Sequence, residues 1–231
     1  MRAPVSVILP TLNAAPTLPA TLGALGEGLS AGLIREVILS DGGSGDATGT
    51  IAEQAGATFI KGPAGRGGQI ARGVAAAGGD WFLVLHADSL LQPGWSRAVL
   101  DHLGTAPDCA GHFRLSFDAD GAAPRLVAGW ANLRARALGL PFGDQGLLLP
   151  RALLDRVGGY PEIPLMEDVS IARALRGHLR PLEAMIVTSA ARYREEGWMR
   201  RGGRNLALQA RYLAGADPAR LARAYRAPKS R

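Results

Sequence analysis

Short apolar runs alternate along the chain with longer segments in which apolar residues recur every three or four positions. Val5–Asn13 (VSVILPTLN) precedes TLPATLGALGEGL, and Glu36–Ser44 (EVILSDGGS) precedes DATGTIAEQAG. TFIKG precedes GGQIARGVAAAG, and WFLVLHADS precedes GWSRAVLDHLG. Runs with apolar residues at successive positions, without strict alternation, suit strands covered on both faces, so four strand-helix repeats predict a mainly parallel α/β sheet. Asp46 and Ser96 stand where caps of the second and fourth helices belong. After Cys109 the pattern changes. CAGHFRLSFD alternates as an antiparallel or edge strand would, APRLVAGWANLRARALG is helical, and FGDQG opens a stretch with a short strand and two helical pieces. LEAMIVTSA is a further strand leading into a basic tail. The expected organisation is a single domain over 1–231, with halves at 1–105 and 106–191 sharing one sheet and a basic helical tail at 192–231.

Composition narrows the setting. A chain of 231 residues, 47% hydrophobic, can bury a large core. Its 31 glycines and 15 prolines are scattered between the apolar runs as turn residues. The lone cysteine, Cys109, excludes an intrachain disulfide and a cysteine-based zinc site, which favours a reducing cytoplasm. The first residues lack the pattern of a secretory signal, and no apolar run approaches the roughly 20 residues of a membrane span. The net charge of +6 belongs to the end of the chain: Arg192–Arg231 holds eleven Lys/Arg against three Asp/Glu. Such a tail suits an anionic partner, either a membrane surface or a phosphorylated substrate, and equally suits a solvated helix. With 6% aromatic residues and no stacking platform, nucleic acid is not an expected partner.

In a doubly wound sheet, ligands bind beyond the carboxyl ends of the strands. Asn13, Asp41 and Asp88 all fall where an apolar run stops, so topology gives them one rim. DGGSGD, from Asp41, sets a carboxylate at that rim beside a helix start. GPAGRGGQIARG places Arg66 at another helix start, a place suited to anions. It matches neither the phosphate loop nor the dinucleotide fingerprint. In HADS, His86 and Asp88 are two positions apart and can face one divalent cation; a structural cap and a polar niche are the alternative. LMEDVSIARAL brings Glu167 and Asp168 together at a helix start, where acids also favour the dipole without any catalytic role. A carboxylate there has the chemistry of a general base.

Taken in order, VSVILPTLNAAPTLPATL, EVILSDGGSGDAT, GRGGQIARG, VLHADS, FGDQG and MEDVSIARALR resemble a family-2 glycosyltransferase of the GT-A fold. More narrowly, the chain is similar to the short bacterial glycosyltransferases associated with radical-SAM and selenium-related genes. The resemblance implies a Rossmann-like mixed sheet, mainly parallel, with helices on both faces. It implies that Thr11, Leu12, Asn13, Asp41, Gly42, Arg66, His86, Ala87 and Asp88 bind a nucleotide-sugar donor, probed first as a UDP-sugar. Asp88, with His86, would hold Mn2+ or Mg2+, Asp168 would be the catalytic base, and Glu167 would support it. Asp144 and Gln145 would line an acceptor pocket, with Arg192, Tyr193, Arg194 and Trp198 in a mobile flap over the acceptor or at a membrane interface.

Two departures stand out. His86 occupies the position of the first acid of the D-x-D motif, and no Q-x-x-R-W string follows, the nearest being QARY at Gln209, which argues against a processive synthase. The implied reaction is an inverting, metal-dependent transfer to an unidentified acceptor hydroxyl, in the cytoplasm or at the inner face of the membrane, by a chain that can associate with itself. A nucleotidyltransferase is disfavoured because LPTLNAAPTL carries neither the glycines nor the basic residue of its activation loop. A noncatalytic sugar-nucleotide binder is the other alternative. His102, His112 and His178 show no ligand spacing and are expected at the surface or in ordinary polar roles.

Overall fold

The first apolar run forms β1 (Val5–Thr11), and the reason its centre, Val7–Leu9, is apolar at successive positions is visible in its packing. Val7 and Leu9 enter one core layer and Ile8 the opposite one, each fully buried. The same division splits β2 (Ile34–Asp41) and β4 (Trp81–Val84), since Leu39 and Leu83 join one layer while Ile38, Phe82 and Val84 join the other. The structure, a computed structural model, describes residues 3–226.

The remaining strands are β3 (Thr58–Lys61), β5 (Ser89–Leu91), β6 (Ala110–Phe117), β7 (Leu147–Pro150) and β8 (Leu179–Thr188). Between β1 and β4 lie α1 (Leu18–Ala24), α2 (Gly26–Ser30), α3 (Thr48–Gln54) and α4 (Arg66–Ala76). After β5 come α5 (Trp95–Thr105), α6 (Ala122–Leu138), α7 (Arg151–Arg156) and α8 (Glu167–Ala174). The chain continues through α9 (Ala191–Glu196), α10 (Trp198–Leu213) and α11 (Pro218–Arg226). One eight-stranded sheet runs β3-β2-β1-β4-β7-β6-β8-β5. Its first four strands are parallel; β7 is antiparallel to β4 and β6, and β5 to β8. This is the mixed, mainly parallel α/β arrangement expected of the GT-A fold.

Several local expectations change. Ala110–Phe117 is not an edge: β6 lies between β7 and β8, parallel to β8, with Phe113 fully buried beneath the α6 layer. Ser89–Leu91, assigned no element of its own in the sequence pattern, is a strand because β8 supplies its pairing partners, Ile186, Val187 and Thr188. Ser96 is inside α5 and not its cap; Glu27 of α2 takes that part, accepting hydrogen bonds from Gly94 N, Ser96 N and Ser96 Oγ at 2.9, 2.9 and 2.6 Å. Asp46 does serve the start of α3, accepting from Thr48 N at 3.0 Å. His102 and His112 are buried, so of the two placements expected for them it is the ordinary polar role that holds: His102 pairs with the Cys109 carbonyl at 2.9 Å and meets Trp81 edge-on at 6.0 Å. The expected flap at 192–205 is helical and anchored, with Tyr193 stacked on Trp198 at 4.8 Å and both rings set against Phe117 at 5.0 Å. Aromatic pairs of this kind add about 1 kcal/mol each beyond their buried area, which favours a fixed segment.

Candidate functional site

At the carboxyl ends of β1 and β2, Thr11 and Asp41 are register partners. Asp41 is fully buried, and its carboxylate accepts four hydrogen bonds: Thr11 Oγ1 at 3.0 Å and Ser44 Oγ at 2.5 Å on one oxygen, Gly43 N at 2.8 Å and Ser44 N at 2.7 Å on the other. Those four fill the acceptor capacity of an ionised carboxylate. Burial opposes the charge, but the Ser44, Gly43 and Thr11 donors together hold the Asp41 carboxyl below its usual range. The neighbouring loop is stitched to this one. Asn13 takes a left-handed backbone (φ 51°), its N–H donates to Ser44 Oγ at 2.7 Å, and its Oδ1 accepts from Gly45 N at 2.9 Å. Leu12 stands out at 52% exposed, and Gly42 is crowded by Ala64 and Gln69.

The first turn of α4 joins this loop pair to the second half of the chain. The Gln69 amide nitrogen donates to the carbonyls of Thr11 at 2.7 Å and Ser40 at 2.8 Å, while its oxygen accepts from Gly65 N at 3.1 Å. Gly67 sits directly against the backbone of Pro161 and Ile163, so close that no side chain fits. Arg66, with 44% of its side chain exposed, pairs at 3.4 Å with Glu167 at the start of α8, which is 3% exposed. Burial, with Asp168 alongside, pushes the Glu167 carboxyl above its usual range against the pull of Arg66. Gln69 and Gly67 are structural supports that sequence reasoning missed: both lie in the GRGGQIARG string, which was read only for Arg66, and both act through partners far along the chain.

His86, Glu167, Asp168 and Arg66 share one small pocket with Tyr160, Phe142 and Gly143, enclosing about 20 Å3, room for about one water molecule. Asp168 Oδ2 accepts from Gly143 N at 3.0 Å and Oδ1 from Val169 N at 2.8 Å. His86 Nε2 is buried with no hydrogen-bond partner and lies beside Gly143, where an added methyl carbon would come within 2.7 Å of it and 3.6 Å of Asp168 Oδ2. Burial, then the positive charges of Arg66 and Arg192, hold the His86 imidazole neutral, far below its usual value. Asp88 is half-buried and near enough to Arg66 and Asp144 to bias both. Burial and Asp168 raise Asp144 to about 6, opposed by Arg134. Arg134, another residue the sequence did not flag, is buried on α6 with its guanidinium 3.1 Å over the Phe142 ring.

The structure thus gathers Arg66, His86, Asp88, Asp144, Glu167 and Asp168 into one electrostatic neighbourhood, with Arg192 and Tyr193 at its border. Of the six expected acceptor residues it does not bring in three. Gln145 is fully buried and spends its amide on Phe142 N, Phe113 O and Asn132, bracing the 143–145 turn from behind. Arg194 is tied to Asp118, and Trp198 is committed to the aromatic cluster. Ala87 contributes its carbonyl, which accepts from Thr21 Oγ1 at 2.9 Å. Among the described residues, no group of three or more His, Cys, Asp or Glu side chains converges as a metal cage.

Comparison with known proteins follows this geometry. The model of glycosyl transferase family 2 matches residues 6–149, more than half of the chain. No curated protein matches. Among solved structures, S. aureus TarS superimposes with a TM-score of 0.64 at 16% identity, over 94% of this chain and 41% of that one. TarS 1-349 in complex with UDP-GlcNAc gives 0.63 at 17% identity, over 80% and 58%. Glucosyl-3-phosphoglycerate synthase from Mycobacterium tuberculosis, in complex with Mn2+ and UDP-glucose, gives 0.56 at 20% identity, over 80% and 69%. The chain therefore spans about two fifths of the full TarS chain, and at these identities the likeness is one of fold. The family match runs from β1 into β7, seven of the eight strands of the sheet, and on it the chain belongs to glycosyl transferase family 2.

Proposed function

We propose that this glycosyltransferase moves a sugar from a nucleoside diphosphate donor, a UDP-sugar, to an acceptor hydroxyl by a single inverting displacement, one sugar per encounter. Neighbours of the same fold hold UDP-GlcNAc, UDP-glucose or UDP, the last two with Mn2+ or Mg2+, which supports the donor class. The narrower kinship with the short bacterial group belongs to the same reading and rests on the ordered motifs, as a cytoplasmic setting rests on the lone cysteine.

The residues fit a divalent cation. A neutral imidazole with an orphaned, buried Nε2 is in the state a ligand needs, and Mg2+ or Mn2+ in phosphate chemistry asks for only one or two protein ligands, the rest coming from phosphate oxygens and water. Asp88 and His86 would hold the ion, which when bound supplies positive charge to the departing diphosphate. Arg66, fixed by Glu167, adds its own charge to that group. The Asp41 loop shapes the floor for the nucleoside through backbone it has already ordered. Asp168 takes the proton of the acceptor hydroxyl as the new bond from acceptor oxygen to anomeric carbon forms and the bond from that carbon to the phosphate oxygen breaks. Asp144, Arg192 and Tyr193 border the acceptor side.

The observation that carries this reading is the Gly143 N–H to Asp168 Oδ2 contact, which aims one oxygen beside His86 and the Arg66–Glu167 pair. Asp168→Asn keeps the shape and removes the base. Its expected behaviour is donor affinity within about twofold of the native chain, by calorimetry with UDP and Mn2+, and a loss of at least about 100-fold in nucleoside diphosphate release from a UDP-sugar panel. Asp88→Ala is expected to lose the metal-dependent part of donor binding. Native turnover in the first variant removes Asp168 as base; a chain that binds donor yet releases nothing in native form is a binder and not the enzyme described.

A further inference from the structure

Two neighbouring helices on the acceptor side expose apolar stripes with nothing over them. On α6, Leu126, Trp130 and Leu133 are 63, 48 and 57% exposed, at a spacing of four and three residues that puts them on one face. On α10, Met199, Leu206 and Leu213 are 71, 40 and 43% exposed, seven residues apart, hence also on one face. The two helices pack against each other, so the stripes belong to one region of the surface. Scattered exposed leucines need no explanation, but six large apolar side chains aligned on adjacent helices mark an interaction surface.

Charge selects the occupant. Neither α6 nor α10 contains an aspartate or glutamate, nor does α11 beyond them, whereas arginines recur throughout. Arg125, Arg136, Arg200 and Arg211 are exposed on the same two helices. Helices with a Trp/Leu/Met face, an arginine-rich flank and no acid lie in the interface plane of an anionic bilayer, the apolar face among the acyl boundaries and the arginines among headgroups. Among the described residues no helix is long and apolar enough to cross a membrane, so attachment would be peripheral.

We propose that the α6/α10 surface docks this glycosyltransferase on an anionic lipid bilayer, beside the acceptor border of its site. The docking goes beyond the transfer reading and does not depend on it. In vesicle sedimentation the native chain is expected to pellet with phosphatidylcholine vesicles containing about a third phosphatidylglycerol, to stay in the supernatant with phosphatidylcholine alone, and to release as salt is raised. Leu126→Ser/Trp130→Ser/Leu133→Ser and, separately, Leu206→Ser/Leu213→Ser are each expected to lower partitioning at least tenfold. Arg200→Glu/Arg211→Glu is expected to lower it about fivefold or more per charge reversed. All six apolar side chains are outside the catalytic pocket, and unchanged melting curves and UDP binding certify the fold of each variant. Failure of the native chain to bind anionic vesicles, or native partitioning in both apolar variants, overturns the proposal. So does a native dimer, by light scattering, that the apolar variants dissociate, since the occupant would then be a second copy. None of these results touches donor binding, so failure here is separate from failure of the transferase reading.

Discussion

Replacing Gly67 with alanine tests the claim that the first turn of α4 is the joint between the two parts of the site. At an unhindered helical position this change stabilises a protein by up to about 1 kcal/mol, because alanine loses less backbone entropy. Gly203 on α10 is such a position, with nothing within 4 Å of an added methyl carbon. At Gly67 the methyl would run into the Pro161 carbonyl oxygen and lie 2.7 and 2.9 Å from Ile163 O and N, well inside contact distance. These obstacles are main chain, not flexible side chain, so relief requires moving α4 or the 161–163 segment. Overpacking of that kind costs about 1–3 kcal/mol, and its upper range outweighs the helix gain. The expected net loss is about 1–2 kcal/mol, a fall in Tm of roughly 3–6 °C for a chain of this size, whereas Gly203→Ala should raise Tm by about 2–4 °C. Displacing α4 also lengthens an Arg66–Glu167 pair that already stands at 3.4 Å, so UDP affinity in Mn2+ should fall about tenfold in the first variant and stay unchanged in the second. Scanning calorimetry and titration calorimetry read the two effects. Equal melting temperatures and equal UDP affinities for the two variants would refute the joint.

Two further perturbations probe the scaffold under the site. Glu27→Gln should cost about 1 kcal/mol at pH 7, because the Ser96 hydroxyl, with the Ser96 and Gly94 N–H groups, holds the Glu27 carboxyl below the usual glutamate range. A carboxyl with a lowered folded-state pKa stabilises above its unfolded value and loses that contribution as pH falls through the folded one; native and variant melting temperatures should therefore converge below about pH 4.5, and a constant gap down to pH 3 would contradict the assignment. Asp41→Ala strands the buried Thr11 hydroxyl and removes the acceptor of the partly buried Gly43 and Ser44 N–H groups, an expected loss of about 1–3 kcal/mol in urea unfolding. A loss below about 0.5 kcal/mol would show that the loop does not depend on it.

The sheet was legible where burial on both faces leaves its mark. Val7–Leu9 and Phe82–Val84 are apolar at every position because alternate side chains enter opposite core layers. It was illegible where pairing is imposed from afar. Ser89–Leu91 is too short to show a period, and only β8 makes it a strand. His102 carries a ring that usually faces water, yet Trp81 and the Cys109 carbonyl enclose it, and neither contact leaves a trace in local sequence. The basic tail misled in a different way. Its arginines advertise solvent or an anion, while Tyr193 and Trp198, spaced within it, are drawn into a cluster by Phe117 on β6.

The site divides along the same line. Topology supplies the address, since strands that run parallel deliver whatever follows them to one rim, and so the ends at Asn13, Asp41 and Asp88 could be read together. What an acid does at that address depends on how many donors reach it. Asp41 has four, all from Thr11 and its own loop, so its acceptor sites are consumed in holding backbone. Asp168 has two, both backbone N–H groups, and its remaining lone pairs are open toward a pocket bordered by His86 and Arg66. Aspartates that look alike in sequence therefore differ in what they can still accept, and spare capacity is what the base proposed at Asp168 requires.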